Sequence, residues 1–355
     1  MPIKILADAS LPELENLFSI PFALTRYQTN QDVADLLPSH NVLLCRSTLI
    51  VNARLLSNSY VDCVATASSG TDHIDADYLY QQNIQLFDAK GSNARSVADY
   101  VVSVLAVHEP IGKLAGVIGI GEVGSRVVER LQAAGFKVIC YDPLKKDRNT
   151  HHYYGTLNEL TSCDLICVHA NLHESSPFPS KHLINEAFLC QLKSGVTIIN
   201  ASRGGIVDEE ALLQTTKKIT YCTDVYCNEP TIDPRIIHFA KVCTPHIAGH
   251  SIEAKQAAMV QISQQLHHYY DLPMNSAIDN LSLQVTGCQD INAQQQLVTW
   301  QDHVMQIYNP LIETQALKSA IDKRGAFLAQ RKLHQERHDF NCYEMKDINP
   351  LLFGR

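Results

Sequence analysis

The chain has 355 residues, room for two or three domains, and its 45% hydrophobic and 19% charged residues are ordinary globular composition. The formal charge of −8, from 29 basic and 37 acidic side chains, leaves no basic excess to neutralise phosphates and argues mildly against a nucleic-acid partner. No apolar run approaches the roughly 20 residues that cross a bilayer, and residues 1–8 turn polar too quickly for a signal peptide, so a soluble cytoplasmic protein is expected.

The first 95 or so residues read as one α/β unit. Strands are expected over 3–7, 41–45 and 62–66, with a helix over 12–18 and a small-residue turn at Ser68-Ser69-Gly70. A long helix follows over 96–108, with Val97, Val101, Val104 and Leu105 at helical spacing. Further strands are expected over 114–118, 137–141, 164–169, 197–200, 221–225 and 242–244, separated by helical stretches; such repeated β-α units build a doubly wound sheet. A helix covers 251–270. From about 283 the chain becomes polar, Gln-rich and helical, ending in a basic run over 323–337, and reads as a third domain or an oligomerisation arm. The 11 cysteines are scattered, several in strand-like runs (Cys140, Cys167, Cys222, Cys243), and no C-x-x-C pair occurs; buried reduced thiols are expected, with neither a disulfide framework nor a metal site.

Gly119-x-Gly121-x-x-Gly124 follows an expected strand and opens an expected helix. In that context the spacing signals a dinucleotide site: the glycines permit the tight turn, the approach of a pyrophosphate and close helix packing, and the helix N-terminus attracts the phosphates. Asp142 ends the next strand, about 20 residues on, where a carboxylate holds the ribose 2′-OH; this favours NAD over NADP. Lys145, Lys146 and Arg148 nearby are read as a solvated loop.

Three later segments carry an Arg, a Glu and a His, each just after a strand: Arg203 in Asn200-Ala-Ser-Arg-Gly-Gly, Glu229 in Asp224-Val-Tyr-Cys-Asn-Glu-Pro, and His246 in Thr244-Pro-His-Ile-Ala-Gly. A planar guanidinium suits a 2-hydroxy carboxylate, imidazole takes a hydroxyl proton near neutral pH, and a carboxylate orients the ring and stabilises its cation. Asp224 is placed near the nicotinamide. Each residue alone has a bland reading, Arg203 pairing with Asp208 or His246 capping the next helix; the three together beside a glycine motif favour hydride chemistry.

These motifs make the chain resemble the D-isomer-specific 2-hydroxyacid dehydrogenases. Within them, residues 3–8, Arg46-Ser47-Thr48, residues 65–75 and a C-terminal segment with Tyr308, Arg331-Lys332 and Glu336-Arg337 are most similar to the 4-phosphoerythronate dehydrogenases of pyridoxal phosphate synthesis. The resemblance implies two Rossmann-like doubly wound parallel-sheet domains plus a small C-terminal α+β dimerisation domain. Residues 1–97 with 246–282 would form a flavodoxin-like substrate-binding domain, 98–245 the NAD-binding domain and 283–355 the dimerisation domain of a homodimer. It implies catalytic roles for Arg203, Glu229 and His246. Cofactor contacts are implied at Gly119, Gly121, Glu122, Val123, Gly124, Asp142, Ala170, Ala201, Ser202, Arg203, Asp224 and Gly249, and contacts to a phosphorylated 2-hydroxy acid at Arg46, Ser47, Ser68 and His250. The chain departs from that pattern at three places: His250 where a Tyr is usual, Ala170 where a Thr is usual, and Lys90 in place of a Pro. Other readings are action on 3-phosphoglycerate, glycerate or hydroxypyruvate, and a non-catalytic NAD-sensing relative of the corepressors.

Overall fold

The computed structural model describes residues 2–145, 147, 151–274, 299–334 and 337–343. Lys146, Arg148, Glu336 and residues 283–298 lie outside the described residues. The chain divides into two compact units, Met1–Asn93 with Ser251–Gly287, and Ala94–His250 with the C-terminal residues.

The first unit is built on a sheet of β1 (Ile3–Asp8), β2 (Phe22–Tyr27), β3 (Val42–Cys45), β4 (Cys63–Thr66) and β5 (Gln85–Asp88). All pairs are parallel and the order is β2-β1-β3-β4-β5. β3 and β4 are buried along their whole length, as continuous apolar runs in a parallel sheet must be. The two edge strands, β2 and β5, carry no such run: their exposed positions hold Arg26 and Gln85, and their polar character hides them from the reading of periodicity. One face packs Ala258, Met259, Ile262 and Leu266 from the helix Ile252–Tyr269 against Ile5, Val42, Leu44 and Cys63. The expected helix over 12–18 contracts to one turn, Leu14–Leu17.

The second unit holds β6 (Leu114–Ile118), β7 (Lys137–Tyr141), β8 (Tyr153–Tyr154), β9 (Leu165–Val168), β10 (Val196–Asn200), β11 (Ile219–Thr223) and β12 (Val242–Cys243). They form a parallel sheet in the order β12-β11-β10-β9-β6-β7-β8, with an apolar cluster on each face. The order reverses between β6 and β9, and the crevice beyond the carboxyl ends of those strands is where such sheets bind ligands.

The described C-terminal residues share the cores of this second unit. Val304, Tyr308 and Phe340 join the cluster of Ala98, Val101, Val104 and Val128, while Leu317 and Phe327 join that of Tyr226, Ile237 and Cys243. The named elements among these residues are helical: Trp300–Ile307, Leu311–Ser319 and Lys323–Leu333, with a short turn Phe340–Cys342. The buried hydroxyl of Thr314 accepts the Cys243 N–H at 3.0 Å and lies 3.0 Å from the Cys243 carbonyl, so the helical extension covers the short edge strand β12.

Candidate functional site

The glycine turn sits at the end of β6. Gly119 has φ +84°, and a Cβ there would lie 2.5 Å from the Ala170 nitrogen, which ties this turn to the end of β9. A Cβ on Gly124 would strike the Gly119 carbonyl oxygen at 1.9 Å, so the helix Glu122–Ala133 can approach the turn only through glycine. At Gly121 a Cβ would meet nothing within 4 Å: that glycine borders open space in front of the helix N-terminus, where Glu122 and Val123 begin the first turn. Asp142 follows β7 and accepts the Ile120 N–H at 2.8 Å on one carboxylate oxygen and the Lys145 N–H at 3.0 Å on the other. A carboxylate has about four lone-pair sites, so it keeps capacity for a ribose hydroxyl. The Lys145 ammonium donates to the Ile120 carbonyl at 2.6 Å, which places this cation on the turn itself and not in a solvated loop.

His169, at the end of β9, was not singled out by sequence reasoning. Its ring nitrogens are buried without a hydrogen-bond partner among the described residues, and burial pushes its pKa down to about 3, so the ring is neutral. A Cβ on Gly124 would stand 3.7 Å from the His169 Cβ. An open face at Gly121, a glycine cradle and an orphaned neutral imidazole at one crevice fit a dinucleotide.

The Arg, Glu and His segments follow β10, β11 and β12, three adjacent strands of this sheet. Asn200, the last residue of β10, accepts the N–H and hydroxyl of Ser202 and donates to the Arg203 carbonyl, closing the turn that carries Ala201, Ser202 and Arg203. The Arg203 guanidinium donates to the Ser202 carbonyl at 2.8 Å. Asp208 accepts the N–H groups of Glu210 and Ala211 and so caps the helix Glu209–Gln214, and Ser251, not His246, caps Ile252–Tyr269.

His246 Nδ1 lies 2.6 Å from a Glu229 carboxylate oxygen, and the other oxygen accepts the Tyr226 N–H at 2.9 Å. Burial raises the Glu229 pKa, but the His246 charge and hydrogen bond, the Tyr226 N–H and the nearby Arg331 outweigh it and hold the carboxyl below the usual range. The backbone of His246 is left-handed, with φ +56°. Asp224, buried, holds that loop: it accepts the Thr244 hydroxyl at 2.6 Å and the N–H groups of Ile247 and Ala248 at 2.8 Å each. Burial lifts the Asp224 pKa above the usual value, while His246 and these donors pull it down. The Asp224 oxygens therefore face the loop backbone. Gly249 closes the loop, and the His250 N–H returns to the Ile247 carbonyl at 2.9 Å; the His250 and His334 rings lie 6.4 Å apart.

In the first unit, Arg46 follows β3 and its Nε donates to Asp8, at the end of β1, at 2.9 Å. Burial works to raise the Asp8 pKa, but the Ser10 hydrogen bonds and Arg46 hold it below the usual value. Ser47 is exposed beside Arg46, and Ser68 follows β4, the neighbour of β3. Lys90 lies in the turn after β5, its N–H held by Asp88 at 3.0 Å. All ten described cysteines are free. No helix among the described residues is long and apolar enough to cross a membrane.

Comparison with known proteins places the chain. The family model described as D-isomer specific 2-hydroxyacid dehydrogenase, NAD binding domain, matches residues 92–248. An erythronate-4-phosphate dehydrogenase of Legionella pneumophila is 50% identical over 346 residues, covering 96% of each chain. One from Coxiella burnetii is 33% identical over 97% of this chain and 95% of its own. Among solved structures, the D-lactate dehydrogenase of Aquifex aeolicus with NAD and lactic acid superposes with a TM-score of 0.63 at 22% identity, over 76% of this chain and 95% of that one. The NAD-dependent formate dehydrogenase of Staphylococcus aureus with NAD gives 0.64 at 22% identity, over 77% and 98%. These structures share the fold; the sequence relatives carry the assignment. The chain belongs to the D-isomer specific 2-hydroxyacid dehydrogenases, NAD-binding enzymes, and within them to the family of the erythronate-4-phosphate dehydrogenases.

Proposed function

We propose that this enzyme oxidises 4-phospho-D-erythronate to (R)-3-hydroxy-2-oxo-4-phosphooxybutanoate, a step of pyridoxal 5′-phosphate synthesis. The substrate follows from the relatives that match nearly the whole chain. The chemistry is carried by the 2.6 Å contact between Glu229 and His246 Nδ1. With Nδ1 held, Nε2 is the atom that takes the proton of the C2 hydroxyl. Glu229 fixes the ring and stabilises the imidazolium that results. NAD, held by Gly119–Gly124, Asp142, Ala170, Ala201, Ser202, Asp224 and Gly249, supplies the hydride acceptor. Arg203 pairs with the substrate carboxylate and the C2 oxygen. Arg46, Ser47, Ser68 and His250 bind the rest of the substrate, with Arg46 and His250 suited to the anionic groups.

The homodimer reading is supported by Ile312, Leu328 and Leu333, large apolar side chains exposed on the C-terminal helices, and by Ile321, exposed in the connection between two of them. The free thiols of the described cysteines suit a cytoplasmic setting. The test is NADH formation by the purified protein across a panel of phosphorylated and unphosphorylated 2-hydroxy acids. The highest kcat/KM is expected with 4-phospho-D-erythronate. A preference for glycerate or 3-phosphoglycerate would reassign the substrate, and no turnover with any of them would favour a binding protein.

A further inference from the structure

Arg337 belongs to the C-terminal extension, yet its side chain ends on the loop that carries His246. Its Nη2 donates to the Ala248 carbonyl at 2.5 Å, to the Ser96 carbonyl at 3.3 Å and to the Ser96 hydroxyl. The Ser96 hydroxyl in turn donates to the Ala248 carbonyl at 3.2 Å. Arg337, Ser96 and Ala248 are all more than nine-tenths buried. The guanidinium carbon lies 4.7 Å from the centre of the Tyr308 ring, a second C-terminal side chain that fixes the cation from its flat side.

The residue held is a specific one. Asp224 takes the N–H of Ala248, and Arg337 takes its carbonyl. Ala248 is thus clamped at both ends two residues after His246, whose left-handed backbone needs outside support. A buried cation is costly to desolvate, and a fold that only needed to cover this surface would do so with an apolar side chain. A charged group aimed at one carbonyl of the catalytic loop fixes direction as well as burial.

We infer that Arg337 is a positioning residue for His246: by clamping the Ala248 carbonyl it sets the attitude of the loop that presents the imidazole. The extension therefore completes the active-site loop from within the same chain. This rests on the reading of His246 as the acid/base group.

The test compares Arg337→Met, which keeps volume and removes the charge, with Arg337→Lys, alongside Ser96→Ala and His246→Ala. The three hydrogen bonds to Ser96 and Ala248 all come from Nη2, so an ammonium, with three donors, can supply them. Arg337→Met is expected to lower kcat by about 10²-fold, the usual effect of a small misplacement of a reacting group, with KM for NAD unchanged. Arg337→Lys should recover most of that kcat, and Ser96→Ala should lower kcat less, again at constant KM for NAD. Wild-type kcat in Arg337→Met would overturn the inference. So would equal losses in Met and Lys variants that track their melting temperatures, because that is the mark of a fold-wide role. If Arg337→Met does not fold, unchanged kcat in Ser96→Ala overturns it. Near-normal turnover by His246→Ala would instead fail the underlying reading.

Discussion

Gly204 stands so close to Tyr226 that a Cβ on it would lie 1.9 Å from the Tyr226 carbonyl oxygen. The turn bearing Arg203 is thereby seated on the backbone of the loop bearing Glu229, and the contact is backbone to backbone, with no flexible side chain to yield. Gly204→Ala is expected to destabilise the protein by about 1–3 kcal/mol through overpacking, and to lower kcat/KM at temperatures where the variant is still folded. Denaturant unfolding with steady-state kinetics on the same sample checks both. A variant with wild-type stability would show that the two loops are free to separate.

The Glu229–His246 pair makes a graded prediction. His246→Ala should lower kcat by about 10²–10⁴-fold, the range that a positioned acid/base group supplies. Glu229→Gln keeps an atom able to hydrogen-bond the ring but removes the charge that favours the imidazolium, so a loss on the order of 10²-fold is expected, at the low end of that range. Full turnover in Glu229→Gln would mean that orientation alone suffices.

Much of this was legible in the chain because the constraints are local. The glycine spacing, Asp142 and the positions of Arg203, Glu229 and His246 after strands all follow from residues close in sequence, and the central strands announce themselves as apolar runs. What escaped depends on contacts between distant segments. Thr314 reaches Cys243 and Arg337 reaches Ser96 and Ala248 across separations that no periodicity encodes. β2 and β5 escaped because edge strands need not be apolar. The packing of the C-terminal helices escaped as well, because their few apolar residues, Val304, Leu317 and Phe327 among them, join cores begun elsewhere in the chain.

Asp142 carries a prediction about cofactor choice. Its carboxylate would repel a 2′-phosphate, and Lys145, already on the Ile120 carbonyl, would be left beside that phosphate once the carboxylate is gone. Asp142→Ala should therefore raise KM for NAD and reduce the preference for NAD over NADP by at least about tenfold, the equivalent of some 1.4 kcal/mol. Unchanged discrimination would place the ribose contact elsewhere.

Thr314 tests how the extension supports the sheet. Thr314→Val keeps the volume but removes the oxygen that accepts the Cys243 N–H, leaving a buried donor without its partner; a cost of about 1–3 kcal/mol is expected in denaturant unfolding. Because β12 runs directly into Thr244 and His246, kcat should fall as well while KM for NAD holds.

The last prediction concerns acid. The Glu229 carboxyl is held below the usual Glu value of 4.5 in the folded protein. A folded pKa below the unfolded one means that the unfolded chain binds the proton first as pH drops. The stabilisation from the Glu229–His246 pair is therefore fully present above about pH 4.5, and is lost as pH falls through the folded value. Glutamine cannot ionise, so the stability difference between wild type and Glu229→Gln should shrink as pH falls below about 4.5. Unfolding curves at a series of pH values measure it directly. A difference that grows on acidification would mean that the folded protein prefers the protonated carboxyl, and that burial outweighs His246 at this position.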